Sequence, residues 1–232
     1  MLLKRLSLSG KDCVAFLHRQ LTADIESLQT GQQQIAAWCN IQGRVLSLLW
    51  LNKHEDSIEL LIPNSSYSNV MPRLQMFVLR DDVAFSEPQD GVAYWDQKQS
   101  RLLLSDNDTN WKTGFIENGI PYLESDACAE YLPQMLNLDH IDGLSFKKGC
   151  YPGQEIVART HFKGRLKQRM MRLQCASQEG AELYDATGKK IGAVILAQGE
   201  QCLAMVRLEE STQGIFDHRG EAAARLPLPY ES

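Results

Sequence analysis

A change in the pattern of apolar residues and glycines near residue 165 constrains the fold of this 232-residue chain most. Beyond it, short apolar pieces of strand character are separated by glycines, as is typical of a small antiparallel barrel or sandwich. The sequence therefore predicts a C-terminal antiparallel β-barrel over residues 166–232. The predicted strands of this part are 170–175, 190–196, 202–206 and 215–223.

Residues 1–165 carry helical and strand patterns in no strict strand–helix–strand order, which favours an α+β fold over a doubly wound sheet. Two apolar runs, 34–40 and 45–51, flank Gly43 and predict a hairpin, because glycine permits a tight reversal. Pro72 predicts a kink or a late start in the second helix. We predict helices at 10–20, behind 63–66 and at 154–161, further strands at 6–9, 57–62, 82–87, 91–95 and 101–105, and a loop or helix entry at 105–110.

The composition is that of an ordinary globular protein. The chain has 44% hydrophobic and 23% charged residues, and its net charge of −5 argues against a protein that coats nucleic acid. It has no apolar run of about 18 residues and no signal core at its start, so we expect a cytoplasmic protein without membrane contact. Six widely spaced cysteines without a Cys-x-x-Cys pair and five scattered histidines predict no metal site.

The densest chemistry lies in residues 145–165, which combine glycines, a thiol, a phenol, an amide, a carboxylate and several cations. Gly149 and Gly153 bracket Cys150, so we expect the backbone to turn sharply there and to bring its N–H groups near a ligand. Lys147, Lys148 and a nearby helix N-terminus would favour the Cys150 thiolate. The alternative is a buried structural cysteine. No His or Asp has the spacing of a general base, so a protease-type dyad is not indicated.

Residues 148–159 read KGCYPGQEIVAR and closely resemble the Lys-Gly-Cys-Tyr-x-Gly-Gln-Glu-x-x-x-Arg signature of the YgfZ family. That family comprises folate-binding, tRNA-modification and iron-sulfur-maintenance proteins related to the glycine-cleavage aminomethyltransferase. The stretch 10–24, the turn 42–44 and the region 111–121 are similar to further parts of the family. The resemblance implies an aminomethyltransferase-like, folate-binding region over residues 1–165, followed by the β-barrel.

The resemblance also implies a folate site that holds tetrahydrofolate or a derivative, with Cys150 as the reactive residue. By residue chemistry, Glu117 would accept hydrogen bonds from the pterin edge, Trp111 or Tyr122 would stack, and nearby cations would meet the glutamyl tail. A packing role for Trp111 and a solvated turn for Glu117 are the alternatives. The expected cofactor-binding residues are Trp111, Glu117, Lys148, Gly149, Tyr151, Gly153, Gln154, Glu155 and Arg159.

Three departures from the family pattern affect the expected activity. Ser47 and Leu48 stand where the aminomethyltransferase has adjacent aspartates, one of them catalytic, which argues against aminomethyl transfer. Leu3 stands at the family's second folate-contacting tryptophan. The chain is also short for the family, mostly between the hairpin and the signature.

Charge is distributed unevenly along the chain. Residues 147–172 contain eight Lys or Arg and a single acid, Glu155, which gives this segment +7 and leaves −12 for the remainder. A positive strip on an acidic body attracts phosphates or polycarboxylates. The alternative is a solvated basic face.

The leading hypothesis is a folate-binding accessory protein that supports iron-sulfur cluster assembly or repair and thereby tRNA modification. Its expected partners are folate and iron-sulfur client enzymes. A folate-dependent one-carbon transferase with a rearranged catalytic group is the first alternative. A module that makes a weak tRNA contact through residues 147–172 is the second.

Overall fold

The computed structural model describes residues 1–105, 110–124 and 129–231. The helices of these ranges are α1 (Cys13–Gln20), α2 (Asn64–Met76), α3 (Trp111–Asn118) and α4 (Gln154–Phe162). The strands there are β1 (Leu2–Ser9), β2 (Gln33–Cys39), β3 (Val45–Lys53), β4 (Ser57–Pro63), β5 (Ala84–Phe85), β6 (Gln89–Asp96), β7 (Arg101–Ser105), β8 (Gln168–Gln174), β9 (Glu182–Tyr184), β10 (Lys190–Gln198), β11 (Gln201–Arg207) and β12 (Ala224–Leu226).

In the described part of the chain, seven strands form the first sheet, in the order β2-β3-β4-β1-β6-β7, with β5 paired to β1. Its two edge strands are joined by a side chain. Gln33 of β2 donates from Nε2 to the carbonyl of Leu102 in β7 at 3.0 Å and accepts the Leu102 N–H at 2.6 Å. The amide of Gln33 thus substitutes for a strand partner, and the sheet curls until its edges meet.

Both faces of this sheet are covered, which explains why β3 is apolar at almost every position. Leu48 and Trp50 point to one hydrophobic core, whereas Leu49 and Leu51 point to a second core on the opposite face. Helices α1 and α2 pack on the second core. Helix α3, the signature segment and residues of the C-terminal strands join the first core.

The C-terminal strands form an antiparallel sheet in the order β12-β8-β11-β10-β9. Met170, Leu203 and Met205 from this sheet belong to the same core as Trp50, so the two sheets share apolar packing. The predicted mixture of helices and antiparallel strands is confirmed. The division of the chain at residue 165 stays a prediction.

The predicted strand 215–223 is wrong. Phe216 makes isolated bridges with Tyr184 and Ala222, and the regular strand is Ala224–Leu226. Asp217 is the reason, because its carboxylate accepts the N–H groups of Arg219 and Glu221 and closes a tight turn.

Two smaller expectations need adjustment, and a third falls partly outside the described residues. The strand predicted at 82–87 is limited to Ala84–Phe85. Helix α2 begins at Asn64 and contains Pro72, so its start is not late. Residues 106–109 of the predicted loop or helix entry lie outside the described residues.

Candidate functional site

A cavity of about 900 Å³ lies between the first sheet and the segment 139–147. Its volume is in the range of small-molecule sites, which is about 300–1,000 Å³. Trp50, Trp95, Ile35, Ile120 and Leu144 supply an apolar wall. Charged side chains also line it. These are Asp24, Asp139, Asp142, Arg101 and Lys147.

Several residues that line the cavity have a buried polar atom without a hydrogen-bond partner among the described residues. The indole N–H groups of Trp50 and Trp95, the Oε1 atom of Gln34 and the Nε atom of Arg101 are inaccessible to solvent and unbonded. Trp50 is only 1% exposed. Buried polar atoms are nearly always bonded, since an unmet one costs roughly 1–3 kcal/mol. Three donors and one acceptor are therefore left over among the residues that line one cavity.

The residues just before the signature (148–159) line this cavity, and the signature itself does not. Ser145, Phe146 and Lys147 line the wall, whereas none of the predicted folate-binding residues from Lys148 to Arg159 does. Phe146 connects the wall to α4, because its ring stacks on His161 with centroids 3.8 Å apart and planes within 15°.

Lys148 is held by backbone rather than exposed to a ligand. Its Nζ donates to the carbonyls of His18, Leu21 at 2.6 Å and Ala23 at 2.9 Å. The last carbonyls of a helix have no partner within it, and a cation is favoured there by the helix dipole. Lys148 thus caps the C-terminus of α1. Burial lowers the pKa of Lys148 to about 8, against smaller opposing effects of Asp24 and Glu26.

Gly153 brings the signature loop against the hairpin between β2 and β3. It has φ +80° and directly precedes α4, and a Cβ there would lie 2.4 Å from the Asn40 carbonyl oxygen and from Gly43. Gly43 has φ +72° and faces Gly153 in return. The two glycines permit a backbone-to-backbone contact, so the close approach expected for a ligand at Gly153 is made by the protein itself. Gly149 is exposed and has no atom within 4 Å of a Cβ placed there.

The other signature residues divide into buried and exposed groups. Tyr151 is buried, its hydroxyl has no partner, and burial raises its pKa above the usual value. Gln154 donates to the carbonyls of Lys148 and Gly149, both at 3.4 Å, and stabilises the loop. Glu155 and Arg159 form an exposed pair at 3.0 Å on α4.

Cys150 is exposed, so the alternative of a buried structural cysteine is wrong. The other unpaired cysteines in the described ranges are buried, and Cys128 lies outside those ranges. Cys150 lines a shallow groove of about 390 Å³ together with Ile41 of the hairpin and Ala158 of α4. A thiol in this position is accessible to a reagent or a partner.

Trp111 and Glu117 lie on α3, one layer behind the cavity wall. Trp111 packs on Phe115 with ring centroids 5.1 Å apart, and Phe115 in turn contacts the cavity residues Trp50 and Trp95. Glu117 accepts a hydrogen bond from Gln97. Tyr122 stacks edge-on against Trp111 at 4.8 Å, and burial raises its pKa to about 12.

The basic segment 147–172 is less positive in space than in sequence. Lys148 is bound to carbonyls, Arg169 pairs with Asp139 at 2.9 Å, and Arg172 bonds to Gln201 at 2.7 Å. The exposed pairs are Arg159 with Glu155 and Arg165 with Glu209. Within the segment, whose residues are all described, the exposed cations without an ion pair are Lys147, Lys163 and Lys167.

The sequence reasoning missed most of the cavity wall. Trp50 and Trp95 belong to strands that the pattern predicts, but nothing local marks them as cavity residues. Gln33 and Gln34 form part of a Gln-Gln-Gln run at the start of β2 that offered a weak signal, since polar residues opening an otherwise buried strand need partners.

Comparison with known proteins gives three kinds of match. Residues 167–229 match the family model "CAF17, C-terminal beta-barrel domain". The "tRNA-modifying protein YgfZ" of Yersinia enterocolitica is 25% identical over an alignment of 293 positions that covers 97% of this chain and 89% of that protein. The protein of the same name from Edwardsiella ictaluri is 25% identical, with 98% and 90% of the two chains covered.

The chain is similar to YgfZ proteins over nearly its whole length. The resemblance predicted from the signature is thereby confirmed. The alignment to the Yersinia protein is longer than the chain itself, so the chain lacks residues that the Yersinia protein has, in agreement with its predicted shortness.

The structure of "glycine cleavage system aminomethyltransferase T" from Bartonella henselae superposes with a TM-score of 0.76 at 15% identity, covering 98% of this chain and 84% of that one. This likeness concerns the fold. The predicted aminomethyltransferase-like fold with a C-terminal β-barrel is confirmed for this chain. In the described ranges, none of its helices has the length and hydropathy of a membrane span.

Proposed function

We propose that the chain is a cytoplasmic folate-binding accessory protein that supports iron-sulfur cluster assembly or repair and thereby tRNA modification. Two lines support the proposal: the names of the YgfZ relatives and the fold shared with an aminomethyltransferase. The observation that carries the folate part is the cavity of about 900 Å³, whose lining combines an apolar and aromatic wall with carboxylates and cations.

Tetrahydrofolate fits the chemistry of this cavity. Its pterin ring needs an aromatic slot, which Trp95 offers, and hydrogen-bond acceptors, which the carboxylates of Asp24 and Asp142 offer. Its glutamyl carboxylates need cations, which Arg101 and Lys147 offer. When bound, tetrahydrofolate supplies a carrier for one-carbon groups. Contacts from the other expected residues stay predictions; these are Trp111, Glu117, Lys148, Gly149, Tyr151, Gly153, Gln154, Glu155 and Arg159.

The cavity and the signature loop have different roles. The cavity binds and orients the folate, and Arg169 orients the Asp139 carboxylate in its wall through bonds of 2.9 and 3.1 Å. The signature loop, held by Lys148 and by the Gly43–Gly153 contact, presents Cys150 on the surface. We propose Cys150 as the reactive residue toward iron-sulfur client proteins.

A calorimetric titration tests the folate part. We expect 5-formyltetrahydrofolate to bind the full chain, and forms with more glutamates to bind more tightly because Arg101 and Lys147 meet the tail. Replacing Lys147 by Ala should remove that gain while the monoglutamate still binds. Absence of any heat at millimolar ligand, with a folded protein, would reject the folate site.

Complementation tests the role of Cys150. In a strain lacking its own YgfZ protein, we expect Cys150→Ser to abolish rescue of tRNA thiolation while the protein remains folded and folate still binds. A matched control is Cys13→Ser, which changes a buried thiol outside the signature. Full rescue by Cys150→Ser would contradict the proposed role.

A folate-dependent one-carbon transferase is the second candidate. Ser47 and Leu48 are buried, and the Ser47 hydroxyl bonds to Ser66 at 2.7 Å, so this position has no carboxylate. Asp24, Asp139 and Asp142 line the cavity instead, which is the observation that favours a rearranged site. Incubation with tetrahydrofolate and methylamine donors tests it, because turnover with a methylene or methyl product would displace the accessory role.

A further inference from the structure

An exposed aromatic and basic strip follows the C-terminal end of α4. We define it as residues 161–167, which read His-Phe-Lys-Gly-Arg-Leu-Lys. Phe162 is 69% exposed, although phenylalanine is normally buried. Its ring stands edge-on to His161 at 4.7 Å and to Phe146 at 6.1 Å, so neighbouring rings support it.

The charges of the strip are available to a partner. Lys163 and Lys167 are exposed and, among the described residues, have no ion pair. Arg165 pairs with Glu209 at 3.2 Å, but both side chains are largely exposed and such a pair contributes at most about 1 kcal/mol. Since the chain outside residues 147–172 carries −12, a polyanion is attracted to this side and repelled elsewhere.

We propose that the strip 161–167 binds single-stranded RNA, with a base stacked on Phe162 and phosphates next to Lys163 and Lys167. Aromatic faces beside free cations are the usual combination for single strands, because every base has a stacking face and every nucleotide a phosphate. A symmetric contact between two copies of this chain is a poor alternative, since the lysines of the two strips would face each other. An acidic peptide would use the lysines and gain little from the aromatic ring.

The strip lies outside the folate cavity, so the inference goes beyond the proposed function. None of residues 161–167 lines the cavity. Helix α4, whose last residue is Phe162, also lines the groove that holds Cys150 through Ala158. A bound RNA would therefore lie at the C-terminal end of the helix whose N-terminal part flanks the exposed thiol.

Fluorescence anisotropy with a labelled single-stranded RNA of about twelve nucleotides tests the proposal, since sites of this kind span roughly 4–16 nucleotides. We expect Phe162→Leu to weaken binding about tenfold and Phe162→Tyr to leave it within about twofold, because only the aromatic ring stacks. Exposed substitutions of this kind barely affect stability. Equal loss in both variants, or none in either, would overturn the stacking role.

The charge part has its own control. Lys163→Glu with Lys167→Glu should reduce affinity at least tenfold and flatten the dependence of binding on salt, because two phosphate contacts are lost. Lys11→Glu with Arg73→Glu, an equal charge change at exposed sites before α1 and on α2, should have little effect. Equal weakening by this control variant would overturn the proposal, as would full competition by polyglutamate. Folate titration of the same variants should be unchanged, which separates failure of the strip from failure of the cavity.

Discussion

The cavity and the signature loop differ in how their polar groups are used. The loop combines more kinds of reactive and polar side chains than any other stretch of the sequence. Lys148 and Gln154 nevertheless donate their hydrogen bonds to carbonyls of the chain itself. The cavity has no sequence motif, yet residues in its wall leave three donors and one acceptor unbonded. The motif thus holds one residue, Cys150, at the surface, whereas the cavity is lined by residues scattered along the chain.

The glycine contact between loop and hairpin gives the largest expected effect. Gly153→Ala places a Cβ 2.4 Å from backbone atoms of Asn40 and Gly43 at a φ of +80°, so the loop must leave the hairpin. We expect a loss of about 3 kcal/mol in the free energy of unfolding, measured by urea denaturation. Gly149→Ala is the matched control, because a Cβ there meets no atom within 4 Å, and a change beyond about 0.5 kcal/mol would contradict this assignment.

Removal of the Lys148 amine should lower the free energy of unfolding by less than Gly153→Ala does. Lys148→Met leaves the carbonyls of His18, Leu21 and Ala23 without their donor, and we expect a loss of about 2 kcal/mol near neutral pH. Lys147→Met, which changes an exposed neighbour, should alter stability by less than about 0.5 kcal/mol. Equal losses in the two variants would mean that the capping contacts contribute little.

The pH dependence of stability tests the same amine. The pKa of Lys148 is about 8 in the folded chain and about 10.4 when unfolded, so between these values the unfolded chain binds more protons. Stability of the native sequence relative to Lys148→Met should therefore rise with pH in this window. We expect a rise of about 1 kcal/mol, since the side chain is only partly buried and solvent screens it. A flat or falling difference would contradict the lowered pKa.

Two tryptophan substitutions test which aromatic side chain contacts the folate. Trp95→Phe reduces the aromatic area of the cavity wall, so we expect 5-formyltetrahydrofolate to bind about fivefold more weakly. Trp111→Phe changes a ring one layer behind the wall and should alter the affinity less than about twofold. Calorimetric titration of both variants with 5-formyltetrahydrofolate measures the two affinities. The reverse order would support the contact predicted for Trp111 from the family resemblance.

Local pattern was sufficient for elements and insufficient for the site. The hairpin around Gly43 and helix α4 followed from apolar spacing and turn chemistry, which act over a few residues. The cavity wall depends on how the sheet curls until Gln33 reaches Leu102, which no window of sequence contains. Likewise, Lys148 looked free beside Cys150 because its three carbonyl partners lie about 125 residues earlier in the chain.

The smallest effect on stability is expected at the residue on which the proposed function depends most. Cys150 is exposed and no hydrogen bond from the described residues fixes its thiol, so Cys150→Ser should change the free energy of unfolding by less than about 0.5 kcal/mol. The buried thiols behave differently, because burial raises the pKa of Cys202 to about 12 and that of Cys39 above its usual range. Brief maleimide labelling of the native chain, mapped by mass spectrometry, should therefore modify Cys150 before Cys39 or Cys202. Faster labelling of either buried thiol would mean that the loop, and not the core, shields its cysteine.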